Sequence, residues 1–345
     1  MMAGIAMHTA PLLRPQLRAI AAARREREGA RPLRLSCVIP CRNEERNLDL
    51  LLPLLREMLD ALGAEWEVIL VDDGSTDATA LVMEDWTQVP GVRFIQLSRN
   101  FGKEAALTAG LQAAQGEAVL MLDADLQHPV DLVPEMVARW RDGADVVYAY
   151  RASRADESLV KRSGARLFYA LLNRFHRFRI PEDAGDFRLL DRRAVDALLA
   201  LPERNRFMKG LYAWIGFDAV GVPYVPPPRA HGRSQFSGLR LLGLSIDGLT
   251  AFTTWPLRIV SAVGVAIATA SFAYGAYLSG VYLVYGHQVS GWTTIVVALM
   301  FFSGIQMIFA GILGEYIARI SEEVKARPLY VVKRAAGRGL QPGKP

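Results

Sequence analysis

Two carboxylates one residue apart follow an apolar run in MLDADLQHP, residues 121–129. At neutral pH Asp123 and Asp125 accept hydrogen bonds and donate none, and Gln127 continues the same alternation. Alternate side chains of an extended segment point the same way, so these three are expected to converge on one point. Without a cation the two carboxylates would repel each other and raise a pKa. A hard divalent ion removes that cost, and Mg²⁺ or Mn²⁺ suits oxygen donors that also meet substrate phosphates. A bare D-x-D is a weak signal, since such pairs occur in turns by chance. Here the trio leaves an apolar strand, so a metal site at Asp123, Asp125 and Gln127 is expected.

The elements around it set the position. From residue 34 the chain alternates: LRLSCVIP reads as a buried strand, and Leu48, Leu51, Leu52, Leu55, Met58, Leu59 and Leu62 recur at helical spacing. EVILVDDG is a second strand, and STDATALVMEDW a helix with Ser75, Thr76 or Asp77 as candidate caps. VRFIQLS, GKEAALTAGLQAA, EAVLMLDAD, VDLVPEMVARWRD and DVVYAY continue the pattern. Strands that are apolar throughout and alternate with helices argue an α/β fold with a Rossmann-like, mostly parallel sheet covered on both faces. Ligands of such sheets lie at the carboxyl ends of the strands, where DDGSTD and DAD both fall. No G-x-G-x-x-G follows the first strand and no G-x-x-x-x-G-K-[ST] occurs, which counts against a dinucleotide dehydrogenase or a P-loop ATPase.

At 345 residues, 51% hydrophobic and 22% charged, the chain is too apolar for a disordered protein and long enough for a second module. Residues 259–285 and 292–314 carry no charge. Each exceeds the roughly 20 residues a helix needs to cross hydrocarbon, so two transmembrane helices joined by GHQVSG are expected. That link has no Lys or Arg, whereas Arg258 precedes the first span and Arg319, Lys325, Arg327, Lys333 and Arg334 follow the second. Positive charge stays inside, which predicts a multi-pass inner-membrane protein with its large N-terminal part and both termini cytoplasmic. The expected organisation is a basic arm at 1–33, a cytoplasmic α/β domain at 34–235, and an amphipathic juxtamembrane segment at 236–255. A hairpin of spans at 256–318 and a cytoplasmic tail at 319–345 complete it. Residues 1–34 hold seven Arg against two Glu, and no signal peptide is evident there; the arm is either a solvated tail or a contact for anionic lipid. Cys37 and Cys41 are four residues apart, roughly 13 Å along a strand. Bridged Cα atoms lie within about 7 Å, so both thiols should be reduced.

VIPCRNEERNL, VDDGSTDAT, LSRNFGKEAALTAGL, LDADLQHP, GDFRLLDRRAV, RAHGRSQF and GILGEYIARISEEVKARPLYVV occur in order between residues 34 and 333. Together they resemble the family 2 polyprenyl-phosphate glycosyltransferases, membrane relatives of dolichyl-phosphate mannose synthase. The resemblance implies a GT-A-type domain that passes a sugar from a nucleotide diphosphate, UDP-glucose foremost, to undecaprenyl phosphate with inversion. It implies a nucleotide-sugar pocket of Pro40, Glu44, Asp72, Asp73, Lys103 and Asp123. Asp72 has the alternative of satisfying backbone N–H groups in its turn, and Lys103 that of a solvated surface charge. Asp125, Asp186 and Arg188 fall at catalytic positions. Arg151, Lys161 and Arg162, with Arg188, fall where the acceptor phosphate would be held, since guanidinium forks match phosphate; Arg166 is the alternative to Arg162. Arg229, Ser234 and Gln235 match a lid in which the family has Lys at the last position; Arg233 is placed to compensate. His128 reads as a loop residue rather than a ligand.

The resemblance also suggests a homo-oligomer packed through Gly275, Gly304 and Gly311. Nothing in the sequence calls for nucleic acid. GDP-mannose, UDP-N-acetylglucosamine or an aminoarabinose donor are the nearer alternatives. A non-enzymatic lipid-binding or flippase-type protein is the alternative from another class. It would need ionisable groups inside the spans, which have none, and would leave DADLQ without a purpose.

Overall fold

The computed structural model describes residues 32–152, 184–204, 206–225, 255–285 and 291–341. The arm at 1–31, Lys161, Arg162, Arg166, Arg229, Arg233, Ser234, Gln235 and the juxtamembrane segment through residue 254 lie outside the described residues.

The first unit follows the alternation. Strand β1 (Arg34–Cys41) is buried along its middle, and helix α1 (Glu45–Ala61) covers it with Leu48, Leu51, Leu52, Leu55 and Leu59, the inward stripe of its helical period. Then come β2 (Glu65–Asp72), α2 (Thr79–Trp86), β3 (Val92–Leu97), α3 (Lys103–Ala113) and β4 (Ala118–Met121). Helix α4 (Val133–Arg141), β5 (Val146–Arg151), β6 (Ala184–Asp191), α5 (Arg192–Leu199), α6 (Met208–Trp214) and β7 (Ala219–Tyr224) complete the run. The sheet has eight strands in the order β7-β5-β6-β4-β1-β2-β3-β8. Its centre, β4-β1-β2-β3, is parallel, as the all-apolar strands predict. The turn from β6 onwards departs from the simple alternation, because β6 runs antiparallel to both β4 and β5.

Parallel strands end together. Cys41, Asp72 and Met121 close β1, β2 and β4 at one edge, so the segments holding Glu44, Asp73 and Asp123–Gln127 emerge side by side. Of the three candidate caps, Asp77 takes the part: its Oδ1 accepts from Thr79 N, the first amide of α2, at 3.1 Å. Ser75 and Thr76 instead lace the loop after β2 to the loop after β1: Ser75 Oγ accepts from Asn43 N at 2.9 Å, and Asn43 Oδ1 accepts from Thr76 N at 2.9 Å. Polar side chains with backbone donors near by choose the local bond that the loop offers.

The second unit carries α7 (Trp255–Tyr285) and α8 (Trp292–Lys325). Both are longer than a bilayer core, about 46 Å and 51 Å at 1.5 Å per residue. Among the described residues one stretch, Ala298–Lys325, is long and apolar enough to cross a membrane by length and composition. In α7 the described apolar stretch is Ala262–Leu278. The expectation of two spans thus meets one qualifying helix.

The segment after α8, expected as a tail, returns to the first unit. Strand β8 (Val332–Gly337) pairs antiparallel with β3 and covers its edge. Beyond it, Leu340 N donates to the fully buried Glu67 at 3.2 Å. Glu67 also accepts from Ser36 Oγ at 2.6 Å, Gln115 N at 2.7 Å and Arg93 Nη1 at 3.3 Å, so its buried charge is fully engaged.

Helix α3 lies tightly on β1. A Cβ added at Gly110 would fall onto Val38 Cγ1. Gly110→Ala must therefore push α3 off the sheet, an overpacking cost of about 1–3 kcal/mol. The expected outcome is a lower thermal unfolding midpoint with reduced activity, since Lys103 opens this helix; an unchanged midpoint would show that Val38 gives way freely.

Candidate active site at the strand ends

The acidic trio does not sit on an extended strand. Strand β4 stops at Met121; Leu122 N makes its last ladder bond, to Val38 O at 3.2 Å, and the chain then turns. Leu126 is left-handed (φ 60°), and Gln127 N donates to Asp125 Oδ1 at 3.1 Å across the turn. The alternation predicted from an extended segment therefore fails: the buried Ala124 separates the two acids in a turn that faces the strand ends. Asp123, Asp125 and Gln127 still supply two carboxylates and an amide oxygen, hard donors of the kind Mg²⁺ or Mn²⁺ takes. Among the described residues no three His, Cys, Asp or Glu side chains are grouped so as to hold a metal ion.

Strands β4 and β6 pair antiparallel with Met121 opposite Arg188. Beyond that last pair, Asp123 and Asp186 come close enough for one ammonium to reach both. Like charges placed so are destabilising. Lys103, the first residue of α3, resolves the conflict: its Nζ lies 2.6 Å from Asp123 Oδ1 and 2.6 Å from Asp186 Oδ2. Burial alone would push the Asp186 carboxyl up, but the Lys103, Lys209 and Arg188 charges outweigh it and hold the group well below the ordinary range. For Lys103, burial opposes the charge while Asp123 and Asp186 favour it, and the ammonium is held above its usual range. With 41% of the Lys103 side chain exposed, solvent screens the bridge, so it contributes more to placement than to stability.

The first strand end carries Pro40, half-buried opposite Val71 in the β1–β2 register, and Glu44, whose Oε2 accepts from Asn47 Nδ2 at 2.5 Å. Burial raises the Glu44 carboxyl, the Asn47 bond opposes this, and the Asp125, Asp123 and Asp77 charges add to the rise. Asp72 takes the backbone alternative. Its Oδ1 accepts from Ser75 N at 2.9 Å and its Oδ2 from Gln96 Nε2 at 3.1 Å, with the side chain buried. Asp73 is engaged in the same manner, accepting from Phe101 N at 2.7 Å and Gly102 N at 3.0 Å, which ties the turn before α3 to β2. Its carboxyl is raised by burial against those two bonds.

On the other flank Arg151 Nη2 donates to Gln127 Oε1 at 3.4 Å, so one acceptor-site candidate touches the acidic turn. Arg188 is buried beneath the site. Its Nε donates to Gly185 O at 2.9 Å, and its guanidinium lies 4.3 Å from the centre of the Tyr212 ring. That placement suits a fixed charge behind Asp186 better than a hand reaching for phosphate.

Two groups at the site were not legible as such in the sequence. His128 is buried and its Nδ1 accepts from Asp123 N at 3.1 Å. Burial lowers the imidazole's pKa against the pull of the Asp123 charge, consistent with a neutral ring. Glu104 follows Lys103 and is placed under the bridge; among the described residues its Oε2 has no hydrogen-bond partner. Only adjacency to a named residue, Gln127 or Lys103, pointed towards either.

Burial, and then the Asp186 charge, push Glu104 up to about 8. An unfolded Glu titrates near 4.3. Between those values the folded protein keeps a proton that the unfolded chain has lost, so this residue costs stability increasingly as pH rises. Glu104→Gln should therefore gain in unfolding midpoint relative to the parent between pH 5 and pH 8. A midpoint difference that stays constant across that range would contradict the assignment.

Comparison with known proteins gives the family. The description of glycosyl transferase family 2 matches residues 36–199. An uncharacterized glycosyltransferase of Synechocystis sp. is 44% identical over 301 residues, 87% of this chain and 95% of its own length. A bactoprenol glucosyl transferase of Shigella phage SfII is 41% identical over 308 residues, 88% and 98% of the two chains. A prophage bactoprenol glucosyl transferase homolog of Escherichia coli is 40% identical over 307 residues, 88% and 99%. Among solved structures, glucosyl-3-phosphoglycerate synthase from Mycobacterium tuberculosis is 22% identical, covering 67% of this chain and 79% of that one at a TM-score of 0.43.

Proposed function

The chain belongs to glycosyl transferase family 2, and from that premise we propose that it moves glucose from UDP-glucose to the phosphate of undecaprenyl phosphate (bactoprenyl phosphate). One observation carries the reading: 41% identity over 88% of the chain to an enzyme named a bactoprenol glucosyl transferase. The acidic turn at the strand ends is the matching chemistry. An oxygen of the acceptor phosphate attacks the anomeric carbon from the face opposite the nucleotide. The new C–O bond forms as the bond to the diphosphate breaks, and the configuration inverts.

Asp123, Asp125 and Gln127 fit a divalent ion, since all three offer oxygen and the chain's own cation, Lys103, is already drawn to Asp123. When bound there, Mg²⁺ or Mn²⁺ supplies Lewis-acid neutralisation of the departing diphosphate. Glu44 is positioned to accept an N–H of the base. Lys103 opens α3 behind Gly102, where its charge and the free amides of the helix start suit a phosphate. Arg151 is the described candidate for the acceptor phosphate.

Membrane attachment is part of this proposal, because the acceptor stays in the bilayer. The chain's connectivity supports an even number of crossings. Residues 32–152, 184–204, 206–225 and 328–341 belong to one unit, with β8 paired to β3. A segment tied at both ends to one sheet favours beginning and ending on the same side, which supports a crossing by α7 beside that of α8, with the transferase unit on the cytoplasmic, basic side.

Membranes containing the protein, supplied with undecaprenyl phosphate and radiolabelled UDP-glucose, UDP-N-acetylglucosamine or GDP-mannose in turn, should transfer label to lipid from UDP-glucose. EDTA should abolish transfer and Mg²⁺ or Mn²⁺ restore it. Transfer from another donor would overturn the sugar, and label in no lipid fraction would overturn the reaction.

Asp186 bears on the proton question. A phosphate monoester loses its second proton near pH 6, so at pH 7 the acceptor has little to give a base. Asp186 in turn is engaged with Lys103 at 2.6 Å and is the poorer proton acceptor for it. Its role here is to position. Asp186→Asn should lose activity by a factor that stays nearly constant from pH 7 to 8.5. Recovery towards the parental rate over that range would assign Asp186 as the base.

A further inference from the structure

The β-ladder of β4 gives out at Leu122, whose N–H still reaches Val38 O. Asp123 N is the first amide beyond the sheet, and a buried amide there requires an acceptor. No strand or helix supplies one. The acceptor is an imidazole nitrogen five residues on, His128 Nδ1 at 3.1 Å. That bond closes the base of the turn, while Gln127 N to Asp125 Oδ1 closes its tip. The ring itself is held from outside the turn. It stacks on Phe187 of β6, with centroids 4.9 Å apart and planes 14° apart, and meets the edge of Tyr224 of β7 at 6.2 Å.

We propose that His128 is a positioning residue for the acidic turn: through Nδ1 it fixes the backbone of Asp123, and through its stack it references that backbone to β6. This rests on the reading of Asp123, Asp125 and Gln127 as the metal and donor site. Accepting at Nδ1 requires the tautomer with hydrogen on Nε2, so the residue acts as a neutral ring and never as a ligand. The bridge explains the need. Asp123 must stay beside Asp186 for one ammonium to reach both, and Phe187 is the chain neighbour of Asp186. The Lys103 bridge constrains the Asp123 side chain and the His128 bond constrains its main chain; two fixed points define the direction of the carboxylate.

The two functions of the ring separate by substitution. In His128→Asn the side-chain oxygen takes roughly the Nδ1 position, keeping the acceptor and losing the stack. His128→Phe keeps the stack and loses the acceptor. The full-length protein in detergent is titrated with Mn²⁺ in the presence of UDP, following the free ion by electron paramagnetic resonance, and thermal unfolding is recorded for each variant. Loss of groups that orient metal ligands costs about 10–100-fold in affinity. The expectation is such a loss in His128→Phe and less than about threefold in His128→Asn, whereas the unfolding midpoint falls further in His128→Asn. A packing role alone would give both measurements the same order, with the Phe variant nearer the parent in each, and would overturn the proposal. Should His128→Phe fail to fold, His128→Asn decides by itself, since a tenfold loss there removes the acceptor's role. Asp125→Asn separates the two levels. If it leaves Mn²⁺ affinity unchanged, the metal reading falls and the His128 proposal with it; if it lowers affinity and His128→Phe does not, the His128 proposal alone falls.

Discussion

Two like charges brought to one place need a cation between them, and the site is organised around that need. Asp123, just beyond β4, and Asp186, on β6, are both held by Lys103. Everything adjacent serves to bring the ammonium there. Gly110 lets α3 lie close on Val38, and Asp73 grips the two amides before the helix, so that the helix begins where Lys103 can reach both acids. A pair at a screened surface would add little to stability. Its weight lies in direction: it aims two carboxylates at one place.

The same bridge explains why the flanking acids look inward. Asp72 and Asp73, which sequence similarity groups with the nucleotide pocket, have both oxygens on loop amides or Gln96, and Glu44 is turned towards Asn47. A nucleotide pocket built on loops requires those loops to be fixed before a ligand arrives, and buried carboxylates accepting backbone N–H groups are a strong means of fixing them. Support and contact are thus divided among neighbouring acids. Their identity alone does not reveal which does which.

Much of the first unit was readable because strand and helix differ in period. Leu48, Leu51, Leu52, Leu55 and Leu59 read as one face and are one face. The strand ends gathering Glu44, Asp73 and Asp123 followed from parallel order. What failed was local. D-x-D-L-Q looks extended when read by alternation, but the ladder ends at Leu122 and Leu126 goes left-handed, which no hydrophobic period records. His128 is the loop residue it read as, but its bond to a backbone amide left no mark in the sequence. Glu104 was hidden by its neighbour: beside a lysine at a helix start, a second charged residue reads as surface.

Strand β8 escaped for a different reason. VKRAAG has two charges and little apolar content, so nothing in it announces a strand; its place comes from the edge of β3, which offers unpaired amides and carbonyls. Arg334 adds an ion pair to Glu84 at 2.8 Å, and Leu340 completes the bonds to the buried Glu67. Closing so long an excursion costs only slightly more than closing a shorter one, because loop entropy grows as the logarithm of length. Sequence order adds a constraint that energy does not. The eight-stranded sheet cannot be complete until both long helices have been made, because β8 follows them in the chain. Until β8 arrives the β3 edge stays bare and Glu67 lacks one of its donors.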